Sequence, residues 1–170
     1  MAAADVNLLM HAVELNGFEA HDHDEPEFLE IDMTLDTGAV NCVLSREDVP
    51  THEITPSEGS LAGQVFQAAG GKLLPNEGEV HLNLVAPAEG EQVTEILTTF
   101  QVAKVTRPLL SVTKICDQGE LDVLCRKNAA YILDKDMRVV AKFQRRGGLY
   151  IARMRMRNPK YPGFAGQGNP

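Results

Sequence analysis

Ile31-Asp32-Met33-Thr34-Leu35-Asp36-Thr37-Gly38-Ala39 is the stretch on which the reading of this chain turns. Ile31, Met33 and Leu35 alternate with Asp32 and Thr34, the period of a strand with one face buried. That strand delivers Asp36 to a tight, glycine-permitted turn. A carboxylate is thereby held at the tip of an ordered element rather than on a free loop. A plain surface strand-to-turn junction also favours Asp and Gly, for turn geometry alone. The unit occurs once in the chain.

Size sets the next bound. With 170 residues there is room for one modest domain with flexible ends and not for two lobes, each with its own copy of the unit. Hydrophobic residues at 44% support a core, and the absence of Trp with 5% aromatics makes that core aliphatic. The net charge of −8 is unevenly spread. Residues 1–45 carry ten acids and no Lys or Arg, whereas the residues after Asp136 carry eight bases and no acid. Such asymmetry marks segments of different physical character.

Cys42, Cys116 and Cys125 show neither Cys-x-x-Cys spacing nor a His pair placed for zinc, which points to buried thiols in a reducing compartment. The N-terminus lacks the basic region of a signal peptide, and no apolar run approaches membrane-spanning length. The expectation is a soluble, intracellular protein, cytoplasmic or nuclear, with no membrane partner.

Along the chain, residues 5–16 suggest a short helix, and His21-Asp22-His23-Asp24-Glu25-Pro26 reads as a solvated acidic linker, too flexible for its two histidines to hold a metal. From Glu27 the pattern is β. Strands are expected at Asn41–Leu44, Gln64–Ala69, around Val80, Leu82 and Leu84, and from Phe100 to Val105. Residues 50–63 read as loops, and Pro87 to Gly90 as a turn. Gly70-Gly71 suggests a hairpin tip that another backbone can approach. Leu109 to Gly119 reads as the one helix of the domain, with Ser111 as N-cap, Val112, Ile115 and Cys116 on an apolar face, and Gly119 at its end. Leu121–Cys125, Tyr131–Leu133, Val139–Phe143 and Leu149–Met154 continue the β pattern. This divides the chain into an acidic extension (1–26), an all-β domain (27–155) and a disordered Gly/Pro-rich basic tail (156–170).

These features in this order resemble the retropepsins, the homodimeric aspartic proteases of retroviruses and retrotransposons. The Asp36-Thr37-Gly38-Ala39 unit carries most of the likeness. The stretch Leu109 to Gly119, then Ile132-Leu133-Asp134 and Arg146-Gly147-Gly148-Leu149-Tyr150, is also similar to copia-type polyproteins, between protease and integrase. Two positions depart from the family pattern: Ser111 stands where Gly usually follows an apolar pair, and Val40 where a polar residue is common.

The resemblance implies a single-lobed, closed β-barrel corresponding to half of an acid protease, with one short helix. It implies an aspartic endopeptidase that needs no metal or cofactor and processes a retrotransposon polyprotein. Because Asp36 occurs once, two identical chains must meet to supply two carboxylates. Two such groups cannot both ionise at close range, so they share a proton and titrate as a pair. One member acts as base on a water, and the protonated member polarises the peptide carbonyl. The resemblance gives Thr37 a hydroxyl bond across the dimer, Gly38 a backbone contact near the carboxylate, and Ala39 packing beside substrate. It places Gly70 and Gly71 in a flap closing over an extended peptide, although an ordinary hairpin turn explains them equally well. An inactive protease-like module that dimerises or binds peptide is the alternative. Nucleic acid is a further candidate partner through Arg145, Arg146, Arg153, Arg155 and Arg157, against the plainer reading of a solvent-facing strand that balances the acidic head.

Overall fold

Strand β1 (Phe28–Asp36) organises the molecule because it is paired along both edges. In the computed structural model, which describes residues 25–86, 95–118 and 120–161, one edge of β1 takes β11 (Leu149–Arg157) antiparallel, from Phe28↔Arg157 to Leu35↔Tyr150. The other edge takes the short β7 (Leu109–Ser111) in parallel, pairing Thr34↔Leu109, Leu35↔Leu110 and Asp36↔Ser111. From β7 the ladder passes to β2 (Val43–Leu44), then to β6 (Glu95–Val102) and β5 (Gly78–Val85). Strand β5 returns to β11 at Arg155↔Val85 and Met156↔Leu84, and β11 to β1. These six strands close a barrel. Strands make up 51% of the described residues, so the domain is all-β in the coarse sense expected.

Closure explains the burial pattern. Strand β5 alternates cleanly, with Val80, Leu82 and Leu84 inside and His81 outside. Met33, Leu44, Phe100, Leu110, Met154 and Met156 are fully buried and fill the interior. Each such side chain contributes about 1.5–3 kcal/mol relative to exposure. Outside the barrel, β10 (Val139–Arg146) pairs with the N-terminal end of β11, and β9 (Ala129–Asp134) and β8 (Leu121–Cys125) extend the sheet. Strands β3 (Val65–Gln67) and β4 (Leu73–Pro75) form a separate hairpin.

Several local expectations need correction. Leu109–Ser111 is strand, not helix; the helix, α2, covers only Val112–Asp117, because the parallel partner offered by β1 claims the apolar pair. Ile115 is its buried residue and Cys116 is exposed, so the apolar face is narrower than the spacing suggested. A one-turn helix, α1 (Glu58–Leu61), capped by Ser57, occupies part of the stretch read as loops. Asn41 and Cys42 precede β2 rather than join it, and Ala103 to Val105 lie beyond β6, which begins earlier, at Glu95. Cys42 is buried, whereas Cys116 and Cys125 are exposed; all three are free thiols.

At the ends, β11 runs through Arg157, and the fully buried Asn158 follows it. The Asn158 amide donates to the Pro26 carbonyl (2.9 Å) and to Glu25 (3.1 Å), tying the domain's two ends together. The ordered domain therefore overlaps both the extension and the tail. The helix expected at residues 5–16, His21, His23, the turn at 87–90, Gly119 and residues 162–170 lie outside the described residues. Among the described residues no helix is long and apolar enough to cross a membrane.

Candidate active site

Asp36 is the last residue of β1 and sits at the edge of the barrel, half-buried, with Thr37 and Gly38 exposed beyond it. The strand is fixed right up to this point. Leu35 and Leu110, paired across β1 and β7, are both buried, and the Thr34 amide donates to the Pro108 carbonyl at 3.0 Å. The side chain is oriented locally: the Gly38 amide donates to Asp36 Oδ1 at 2.8 Å. Such an Asx-type bond fixes a carboxylate rotamer and leaves the second oxygen open. Gly38 does not use left-handed backbone. A Cβ at this position would stand 3.4 Å from the same Asp36 oxygen.

The loop after Asp36 is held from the far side by Ser111. Its hydroxyl donates to the Ala39 carbonyl at 2.6 Å, and its amide donates to Cys42 Sγ at 3.3 Å. The same hydroxyl accepts from the Lys114 amide at 3.3 Å, so Ser111 is the N-cap of α2, as its position suggested. The Ser111–Ala39 bond had no sequence signal, because it joins residues 72 positions apart. Burial pushes the Cys42 thiol up, against the bond from Ser111.

Gly70 and Gly71 form the exposed tip of the β3–β4 hairpin, with φ of 96° and 85°. Only glycine adopts such values at little cost. The turn is closed by Gly71 N to Ala68 O (2.9 Å) and Ala68 N to Lys72 O (2.8 Å). Phe66, Ala68 and Leu74 pack against Val43, Ala103 and Val105, forming a second apolar cluster apart from the barrel core. Through Val43 this cluster reaches β2, the strand into which the Asp36 loop leads.

At the foot of the hairpin lies a polar network that sequence reasoning missed. Asn76 Nδ2 donates to Gln64 Oε1 (2.9 Å) and Gln101 Oε1 (2.8 Å), and Ser57 Oγ donates to Gln101 as well (2.9 Å). Backbone bonding from Asn76 N to Gln64 O (2.9 Å) closes the stem. Amides spread over 64–101 give no periodic pattern to read.

Two grooves of about 380 and 400 Å3 open on the described surface, and Asp36 lines neither. No group of three or more His, Cys, Asp or Glu suited to a metal occurs among the described residues. The arginines of β11 are engaged in the chain itself. Arg153 pairs with Asp32 and Glu30, Arg157 pairs with Glu95 and Glu27, and Arg155 and Arg157 both lie over the Phe28 ring.

Compared with protein-family models, curated proteins and solved structures, the chain matches none. Fold and site together define a closed six-stranded barrel that presents one oriented, solvent-reachable carboxylate at a strand end, beside a short capped helix.

Proposed function

We propose that the chain is a homodimeric aspartic endopeptidase of the retropepsin type, acting on an extended peptide within a retrotransposon-derived polyprotein. The observation that carries the reading is the placement of Asp36. It ends the doubly paired β1, opposite Ser111 on a parallel strand, with one oxygen held by the Gly38 amide and the other open.

In the proposed dimer two Asp36 side chains face each other around a water. They hold one proton between them, since like charges that close cannot both persist. The ionised carboxylate takes a proton from the water as it attacks the peptide carbonyl, and the protonated partner donates to the carbonyl oxygen. Collapse of the tetrahedral intermediate returns a proton to the leaving amine. Gly38 keeps the carboxylate rotamer fixed, and the exposed Thr37 is free to bond across the twofold axis. The β3–β4 hairpin covers the peptide, with Gly70 and Gly71 supplying backbone to it in β fashion.

Replacing Asp36 with Asn tests the reading. Cleavage of a precursor peptide is lost while the circular dichroism spectrum and the melting temperature stay close to the parent's. An Asn variant that cuts as fast as the parent ends this reading. A parent that dimerises yet cuts nothing supports the alternative, an inactive dimerisation or peptide-binding module.

A further inference from the structure

Ser111 stands directly opposite Asp36 in the parallel β1–β7 register and is fully buried. A hydroxyl offers one proton and two lone pairs. Here the proton goes to the Ala39 carbonyl at 2.6 Å, and one lone pair accepts the Lys114 amide at 3.3 Å. With the Ser111 proton committed to Ala39, the role left to Thr113 Oγ1, 2.9 Å away, is donor to the other. The group is saturated, and each of its bonds ends on the Asp36 loop or on the first turn of α2.

This geometry closes a circuit. Asp36 is fixed by its strand, Gly38 N–H holds Asp36 Oδ1, and the next residue, Ala39, is pinned through its carbonyl to Ser111. The Ala39 carbonyl lies two peptide units beyond the Gly38 amide, so releasing it loosens the loop that carries that amide, and with it the carboxylate rotamer. Thr113 Oγ1 lies 3.5 Å from the Ala39 oxygen, too far to replace a 2.6 Å bond. We infer that Ser111 is a positioning residue for Asp36: its buried hydroxyl sets the Asp36–Ala39 loop so that the carboxylate points at the reacting water. The inference rests on the peptidase reading and adds to it a residue that touches neither water nor peptide.

Ser111→Ala removes only the hydroxyl, and Ser111→Thr restores it. Because losing an N-cap also weakens α2, Ser111→Gly is the second variant, since Gly at an N-cap is nearly as good as Ser. Two readouts are taken below the melting transition of each variant. The first is amide hydrogen exchange at Gly38 and Val40, compared with amides of β5 and β6. The second is the split of kcat and KM on a precursor peptide, with its pH profile.

In Ser111→Ala and Ser111→Gly, exchange at Gly38 rises by about tenfold or more while β5 and β6 are unchanged. The value of kcat falls by about 10- to 100-fold with KM nearly constant, the cost of misplacing a reacting group by a fraction of an ångström to an ångström. The limbs of the pH profile move, because the separation of the two carboxylates sets their coupling, and Ser111→Thr recovers both readouts. Unchanged exchange at Gly38 overturns the inference whether or not the parent cleaves. Faster exchange with parental kcat and pH profile overturns it as well. A parent no more active than Asp36→Asn refutes the peptidase reading and the catalytic consequence with it, while faster exchange would still establish the hydroxyl's hold on the loop.

Discussion

Arg153 faces Asp32 across the β1–β11 ladder and grips its carboxylate with two bonds, Nε to Oδ1 at 2.9 Å and Nη2 to Oδ2 at 3.3 Å. Acids of the first described strand region, Glu27, Glu30 and Asp32, are thus neighbours of the β11 bases Arg153 and Arg157 and pair with them on the outer face of the barrel. The bond from Arg153 is the main reason the Asp32 carboxyl is held below its ordinary value. With the folded value depressed, the unfolded chain binds more protons, so this pairing stabilises above the ordinary carboxylate range and is lost as pH falls through it.

Arg153→Met should lower the melting temperature slightly at neutral pH and low salt. The difference from the parent shrinks in high salt, because both groups are exposed and screened. It also shrinks in acid, where the parent's Asp32 is protonated too. Melting curves in a salt and pH series check this. A difference that survives both conditions would assign the effect to the arginine's packing instead.

His52 gives a pH dependence at higher pH. Burial pushes its imidazole below the ordinary 6.5, and a hydrogen bond to the Arg157 backbone offsets only part of this. The unfolded chain then takes up the proton first. Stability is full above pH 6.5 and declines as pH falls below it, toward the depressed folded value. His52→Gln should flatten the parent's stability profile between neutral pH and about pH 5, the range where an unperturbed imidazole charges. Denaturant midpoints across that range are the measurement. Parallel profiles for the two proteins would contradict the assignment.

Asn76 joins the hairpin to the barrel wall. Its amide donates to Gln64 and Gln101, and its carbonyl accepts the Gly78 amide at 2.9 Å. Asn76→Ala leaves a buried Gly78 donor without its partner, a cost of about 1–3 kcal/mol. Urea unfolding should show that loss, and limited proteolysis should cut first between Gln64 and Pro75. Unaltered protease resistance there would mean that the Phe66 and Leu74 packing holds the hairpin without the network.

Strand period was legible in several strands with one wet face, though not in the first half of β6. Val80, Leu82 and Leu84 announce β5, and Ile31, Met33 and Leu35 announce the strand that ends at Asp36. Elements defined by distant partners were not. Leu109-Leu110 looks like the start of a helix because Val112–Asp117, just beyond Ser111, is one. Only pairing with Thr34 to Asp36, remote in sequence, makes it strand. Lys104-Val105 continues an alternation that β6 abandons after Val102, where its partner Gly78 begins β5. At the site, Asp36, Gly38 and the Gly70-Gly71 tip could be picked out by local chemistry. Ser111 was visible as a cap, but its bond to Ala39 was not, since a single hydroxyl carries no sign of which carbonyl it will meet.

A site shared by two chains is tested by mixing the parent with Asp36→Asn at fixed total concentration, with subunits allowed to exchange before cleavage is measured. If one site is built from two Asp36 residues, an equal mixture retains about one quarter of the parent rate, because only parent–parent pairs are active. A mixture that retains about half, the value for chains each carrying a complete site, would contradict a shared Asp36 pair.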